Sequence, residues 1–139
     1  MINMGTSYKD QDMSGSDYTG EDFSRKNFSD TDFNGAKLKN AKFVRSNLTS
    51  VNFWKANLTG ADLTNANLTN ANFEDANLTN ADLTDAKFVN TNLDNALFKN
   101  TIVRFNGLVV KISTADDEDL AYHTGSPDKH VKRQSKDII

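Results

Sequence analysis

The sequence has no cysteine among its 139 residues, a single proline and no long apolar run. The absence of cysteine excludes disulfide bonds, thiolate metal sites and thiol nucleophiles, and it agrees with a reducing compartment. No stretch approaches the roughly 18 consecutive apolar residues of a membrane-spanning helix. The N-terminus also has no basic start followed by an apolar run. We therefore expect a soluble, cytoplasmic protein without a membrane partner.

The sequence also has little excess charge of either sign. Its 16 Lys and Arg residues stand against 19 Asp and Glu residues, which gives a net charge of -3. This value is too small to favour nonspecific nucleic-acid binding or a strongly acidic surface. The length is typical of one domain with a modest core.

What the sequence does contain is a repeat of five residues. Leu, Phe, Tyr, Met or Val occupies all 20 positions whose numbers end in 3 or 8, from Tyr8 to Val103. Two residues earlier stands Ala in ten cases and Ser, Thr or Val in seven more. The exceptions at this earlier position are Gln11, Glu21 and Lys26.

A period of five fits neither regular structure, since a helix advances about 100° per residue and a strand about 180°. The chain must therefore bend once per repeat. Three residues are predicted to be extended, with the small and the large residue facing inward and the polar residue between them facing outward. The next two residues form a corner, and the second of these is Gly, Asn or Asp in 15 of 20 repeats. These residue types accept turn and left-handed conformations readily.

These residues resemble the pentapeptide repeat family, over the range from Thr6 to Phe105. The resemblance implies an all-β solenoid, a right-handed quadrilateral β-helix of about five coils in which residue n lies beside residue n+20. Phe33, Phe53 and Phe73 are then predicted to form one aromatic column. Residues 1–5 would be an N-terminal lead, residues 6–105 the β-helix and residues 106–139 a C-terminal cap and tail.

The ends of such a solenoid need caps, because they expose unpaired strands and apolar columns. Near the C-terminal end the outward positions become apolar at Leu97 and Ile102, and the pair Asn106 and Gly107 predicts a type I′ hairpin. A short helical segment is expected after it. The apolar patch of Leu97, Ile102 and Phe105 is covered by this cap or serves as an end-to-end dimer interface. At the other end, Glu21 and Lys26 pair with each other, or the first coil is irregular.

Two charged groups on the predicted surface are candidate sites. The first is a basic belt, defined as Lys37, Lys39, Lys42, Arg45 and Lys55, with no acidic residue between Phe33 and Ala61. Arg25 is predicted to stack on Arg45, and Trp54 occupies a corner position. This group is interpreted either as a partner-binding surface or as a solvated face on which Trp54 lies flat. The second group is a weak candidate for a divalent-cation site and consists of Asp10, Asp12, Asp30 and Asp32.

Catalysis has little support in the sequence, and no cofactor is expected. The carboxylates of Glu74 and Asp75 are predicted to project from a convex rod without a cleft. His123 and His130 fall outside the repeats with no cysteine nearby. The leading hypothesis is a non-catalytic scaffold that binds another protein.

Two alternatives to the scaffold remain. The first, implied by the family resemblance alone, is a DNA mimic of the quinolone-resistance type that binds a topoisomerase such as gyrase. It is disfavoured because the predicted row Asp22, Lys42, Asp62 and Asp82 breaks the acidic stripe that a mimic needs. The second is nucleic-acid binding through the basic belt and Trp54.

Overall fold

The coil turns once every 20 residues. The computed structural model describes residues 7–105 and 108–112. Within this range, outward residues form single-residue parallel β-bridges with the residues 20 positions later, as in Lys37 with Asn57 and Asn57 with Asn77. Four consecutive repeats therefore make one turn, and the predicted register of n and n+20 is confirmed.

The backbone of each repeat is bonded to the coils on both sides. The N–H of Asn57 donates to the carbonyl of Ala36 at 3.0 Å, and the N–H of Leu58 donates to the carbonyl of Asn77 at 2.7 Å. The corner is closed locally, because the N–H of Ala61 donates to the carbonyl of Leu58 at 2.9 Å. Since the same pattern recurs along the rod, the coil satisfies its buried backbone groups without long strands.

Corners depend on one left-handed residue per repeat. Every residue whose number ends in 0 or 5, from Asp10 to Asn100, has a positive φ between 55° and 76°. Gly, Asn and Asp tolerate this conformation best, which explains why they dominate these positions. The predicted corner is confirmed for the repeats that end at Asp10 to Asn100, whereas Phe105, at the end of the last repeat, lies in a β-strand.

The interior is a stack of large apolar side chains in columns, with small residues between them. Leu38, Leu58 and Leu78, from three successive coils, are all fully buried. In the aromatic column, the rings of Phe33 and Phe53 are stacked with centroids 5.4 Å apart, and those of Phe53 and Phe73 with centroids 5.0 Å apart. The predicted aromatic column is confirmed, and each such residue contributes about 1.5 to 3 kcal/mol through burial.

Among residues 7–105 and 108–112, three strands are long enough to be named, and all lie towards the C-terminal end of this part of the chain. They are β1 (Asp82–Thr84), β2 (Thr101–Phe105) and β3 (Leu108–Ile112). β1 pairs with β2 in parallel, whereas β2 pairs with β3 antiparallel, with Phe105 opposite Leu108. This antiparallel pair is the predicted hairpin. Its turn residues 106–107 and the predicted helical cap in residues 113–139 lie outside the described residues.

The rod has four sides, each defined by its column of outward residues. Side 1 carries Asn27, Asn47, Asn67 and Lys87; side 2 carries Asp32, Asn52, Asn72 and Asn92; side 3 carries Lys37, Asn57, Asn77 and Leu97; side 4 carries Lys42, Asp62, Asp82 and Ile102.

The first described coil is regular, in contrast to one of the two expectations for Glu21 and Lys26. Asp17 bridges Lys37 and Asp22 bridges Lys42 in the same register as later coils. The other expectation is also wrong, because the ion pairs found in the described part of the chain do not include one between Glu21 and Lys26. Glu21 is instead exposed and Lys26 is half-buried.

Candidate partner-binding surface

The basic belt wraps around half of the rod instead of covering one face. Lys37 lies on side 3, Lys39 on the corner that follows it, and Lys42 on side 4. Arg45 occupies the corner after side 4, and Lys55 occupies the corner between sides 2 and 3 in the next coil. All five side chains are exposed. A partner that contacts the whole belt must therefore cover sides 3 and 4 and the three corners that adjoin them.

Acidic neighbours in adjacent coils reduce the positive charge of the belt. Asp17 lies beside Lys37, and Lys42 lies between Asp22 and Asp62. The hydrogen bond from Thr19 lowers the pKa of Asp17, and the positive charge of Lys37 lowers it further. None of the belt cations forms an ion pair within the described residues, where both ion pairs belong to Lys9. Lys39 differs from Lys37 and Lys42, because its neighbours in the adjacent coils are the uncharged residues Thr19 and Thr59.

Trp54 is half-buried and contacts a cation of the belt. The Nζ atom of Lys55 lies 4.5 Å from the centroid of the Trp54 ring, which is the geometry of a cation–π contact. The backbone N–H of Trp54 donates to Oδ1 of Asn52 at 3.1 Å, so the corner itself does not depend on the indole. Trp54 and Lys55 thus form one amphipathic unit at the corner between sides 2 and 3.

Arg25 and Arg45 share the corner after side 4, as predicted from the sequence. The N–H of Arg25 donates to the carbonyl of Val44 at 2.9 Å, which fixes the two corners one above the other. Both arginines are exposed, and both have a left-handed backbone, with φ of 63° and 59°. A groove of about 280 Å³ adjoins this corner and is lined by Asp22, Ser24, Arg25, Lys26 and Val44.

The four aspartates of the proposed cation site are held by other partners. The ammonium group of Lys9 bonds Oδ2 of Asp10 at 3.2 Å and Oδ2 of Asp30 at 2.9 Å, which raises the pKa of Lys9. Oδ1 of Asp12 accepts the N–H and the hydroxyl of Ser14, and Oδ1 of Asp32 accepts the N–H of Asn34. In the described ranges no group of three or more acidic or histidine side chains could hold a metal ion. The geometry gives a metal site no support, and His123 and His130 lie outside these ranges.

The apolar patch near the C-terminal end is partly open. Leu97 is 44% exposed, and Ile102 on the neighbouring side is half-buried. Phe105 ends strand β2. The predicted change from polar to apolar outward residues is therefore present at Leu97 and Ile102.

Sequence reasoning missed the role of the outward Asn and Asp residues. Their Oδ1 atoms accept the backbone N–H two residues later, as in Asn57 with Thr59 at 3.1 Å, and the Thr59 hydroxyl donates to the same atom at 2.7 Å. The signal was present in the sequence as Asn or Asp two residues before Thr or Ser, which is the pattern of an Asx turn. The Oδ1 atoms of most outward Asn and Asp residues are thus engaged in forming the corners.

The hydroxyl groups in these turns also affect acidity. The side chain of Ser14 lowers the pKa of Asp12, that of Thr19 lowers the pKa of Asp17, and that of Ser24 lowers the pKa of Asp22. In each case the hydrogen bond stabilises the carboxylate form.

Along residues 7–105 and 108–112 no helix is long and apolar enough to cross a membrane.

The chain belongs to the pentapeptide repeat family. The family model for pentapeptide repeats matches residues 12–43, 27–65 and 61–100. A solved pentapeptide repeat protein from the thylakoid lumen of Arabidopsis thaliana is 31% identical, covers 67% of this chain and 68% of its own, and superposes with a TM-score of 0.55. The fold is accordingly the right-handed quadrilateral β-helix, as the resemblance implied.

Other solved structures are less similar. HetL, a pentapeptide repeat protein of the cyanobacterium Nostoc involved in heterocyst differentiation regulation, is 24% identical over 69% of this chain and 45% of its own, with a TM-score of 0.41. QnrB1, a plasmid-mediated fluoroquinolone resistance protein, is 19% identical over 66% of this chain and 71% of its own, with a TM-score of 0.25. Neither comparison carries an argument about function. No protein of curated function matches the sequence significantly.

Proposed function

We propose that this protein is a non-catalytic scaffold in the cytoplasm, and that it binds another protein through the basic belt together with Arg25 and Trp54. The observation that carries the proposal is the set of exposed belt cations that form no ion pair in the described part of the chain. Cations without bonded acidic partners on a rigid framework can bind an acidic surface without first breaking internal contacts. Trp54 adds a large aromatic contact of the kind that protein interfaces use.

The scaffold is proposed to consist of a lead in residues 1–5, a β-helix of about five coils in residues 6–105, and a cap and tail in residues 106–139. The patch at Leu97, Ile102 and Phe105 would be covered by this cap, with end-to-end dimerisation as the alternative. Two features favour protein binding over DNA mimicry. The belt is basic, and on side 4 Lys42 interrupts the acidic column between Asp22 and Asp62.

Capture from lysate with three forms of the protein tests the proposal. The belt variant combines Lys37→Ala, Lys39→Ala, Arg45→Ala and Trp54→Ala. The control variant combines Lys87→Ala and Lys99→Ala, which remove two exposed cations away from the belt. We expect a protein that is retained by the wild type and the control and lost with the belt variant. Binding of that purified protein should weaken as salt increases.

Two other capture patterns would contradict the proposal. If all three forms retain the same proteins, or if the control variant loses the partner as well, the belt is not the binding surface. Recovery of topoisomerase subunits would favour the DNA mimic over the scaffold. Circular dichroism and thermal unfolding of the variants must show that the coil is intact, which we expect because the substituted side chains are exposed or half-buried.

A further inference from the structure

The corner formed by Arg25 and Arg45 is locally unfavourable in two ways. Both arginines hold a left-handed backbone, which most other repeats assign to Gly, Asn or Asp. Their corners are also stacked on adjacent coils, about 4.8 Å apart, and like charges in such positions repel each other. In the described part of the chain neither guanidinium forms an ion pair. Such an arrangement is retained at functional sites more often than in plain structure.

The adjoining groove adds a third cation. Lys26 lines it beside Arg25, and the acidic residue among its lining is Asp22. The carboxylate of Asp22 is already held, since it accepts the N–H of Ser24 at 3.0 Å and interacts with the charges of Lys42 and Lys26. The two guanidinium groups are therefore left without a bonded counter-charge.

We propose that Arg25, Arg45 and Lys26 bind a phosphoryl group carried by a protein partner. The inference rests on the proposed function, because it names the chemistry of the partner. A phosphoryl group carries close to two negative charges at neutral pH and can accept hydrogen bonds from two guanidinium groups at once. A carboxylate carries one charge and leaves one of the two arginines uncompensated.

The shape of the groove and the charges around it indicate which class of molecule carries the phosphoryl group. Sites for free small molecules are concave and bury most of the ligand, whereas this groove is open to solvent. A nucleic-acid strand would need cations that continue along the rod. The same corner instead continues to Asn65 and Asp85, and side 4 continues to Asp62. The site therefore fits one phosphorylated side chain.

Thermal unfolding of the full chain in inorganic phosphate, against sodium chloride of equal ionic strength, tests the site. For the wild type we expect phosphate to raise Tm by about 2–5 °C. The double variant Arg25→Asn, Arg45→Asn should have a higher Tm without phosphate and no phosphate response, because Asn suits the left-handed backbone and removes the repulsion. Ser50→Asn and Lys87→Ala are the matched controls. Ser50 also has a positive φ and Lys87 is an exposed cation, and both lie outside the belt, so the phosphate response should remain.

A second measurement identifies the source of the phosphoryl group. We expect a phosphoserine peptide to shift the NMR signals of the Arg25 and Arg45 side chains, and the unphosphorylated peptide to leave them unchanged. An equal phosphate response in wild type and double variant would overturn the inference. So would tighter binding of a single-stranded oligonucleotide than of the phosphopeptide. If the wild type and the double variant respond equally to phosphate and the double variant still captures the lysate partner, this inference fails while the proposed function stands.

Discussion

The hydroxyl of Thr91 donates to the carbonyl oxygen of Leu68, one coil earlier, at 2.8 Å. The same oxygen accepts the N–H of Ala71 at 3.0 Å, so one carbonyl joins its own corner to the next coil. Thr31, Ser46 and Thr101 are buried and make the equivalent bond to the coil before them. These hydroxyl residues can replace Ala at the small inward position because each finds an acceptor there.

Leu68 lies in the fully buried part of the core, and its truncation should destabilise the protein strongly. We expect Leu68→Ala to lower the free energy of unfolding by about 2–5 kcal/mol, because it removes apolar contacts and leaves a cavity between neighbouring coils. Urea unfolding monitored by circular dichroism measures the effect. Lys99→Ala, at an exposed corner, should change stability by less than about 0.5 kcal/mol. Similar values for both variants would show that Leu68 is not an interior residue.

Gly60 and Gly15 separate backbone strain from steric overlap. Both have a positive φ, but a Cβ atom at position 60 would overlap Oδ1 of Asn40, whereas a Cβ at position 15 meets nothing within 4 Å. We expect Gly15→Ala to cost about 1–2 kcal/mol from the left-handed backbone. Gly60→Ala should cost more, since the Asn40 side chain must also move. Thermal or urea unfolding that ranks Gly15→Ala as the more damaging change would contradict this account.

Asn57 tests the contribution of the Asx turn. Asn57→Ala removes the acceptor for both the N–H and the hydroxyl of Thr59, and we expect a loss of about 1–2 kcal/mol. Asn57→Asp keeps an acceptor at the same place and also lies beside Lys37, so it should be close to neutral. The comparison requires only the two unfolding free energies at neutral pH. Equal losses for the two variants would mean that the turn hydrogen bonds do not stabilise the corner.

The loss of thermal stability at acidic pH should depend on Asp12, Asp17 and Asp22. Hydrogen bonds lower the pKa of each carboxyl in the folded chain. These carboxylates therefore stabilise the fold fully when the pH is above the pKa of an Asp in the unfolded chain, which is about 4. This stabilisation is lost as the pH falls through the lowered pKa of the folded chain. The triple variant with Asn at these positions keeps the turns but does not titrate. We expect its Tm to fall less than that of the wild type between about pH 5 and pH 2, and parallel curves would refute the prediction.

The sequence was sufficient to predict the coil because each repeat specifies its own geometry. The alternation of a small, a polar and a large residue sets the extended segment, and a residue such as Asn65 or Gly60 sets the corner. The belt was predicted less well. Asp17 and Asp22 compensate Lys37 and Lys42 from 20 residues away, so their effect is visible only after the register is applied. The groove beside Arg25 also depends on how side chains of two coils meet, which no local pattern contains.

Because the coil makes one turn every 20 residues, the position of a residue in the sequence determines which side of the rod it faces. Deleting one pentapeptide between Arg45 and Leu97 would move Leu97 from side 3 to side 2, a quarter turn around the axis, while leaving the core columns filled. Deleting or duplicating a full turn would change only the axial distance between the two surfaces. Evolution or protein engineering can therefore set the bearing and the spacing of two binding surfaces on this rod independently, by choosing how many repeats separate them.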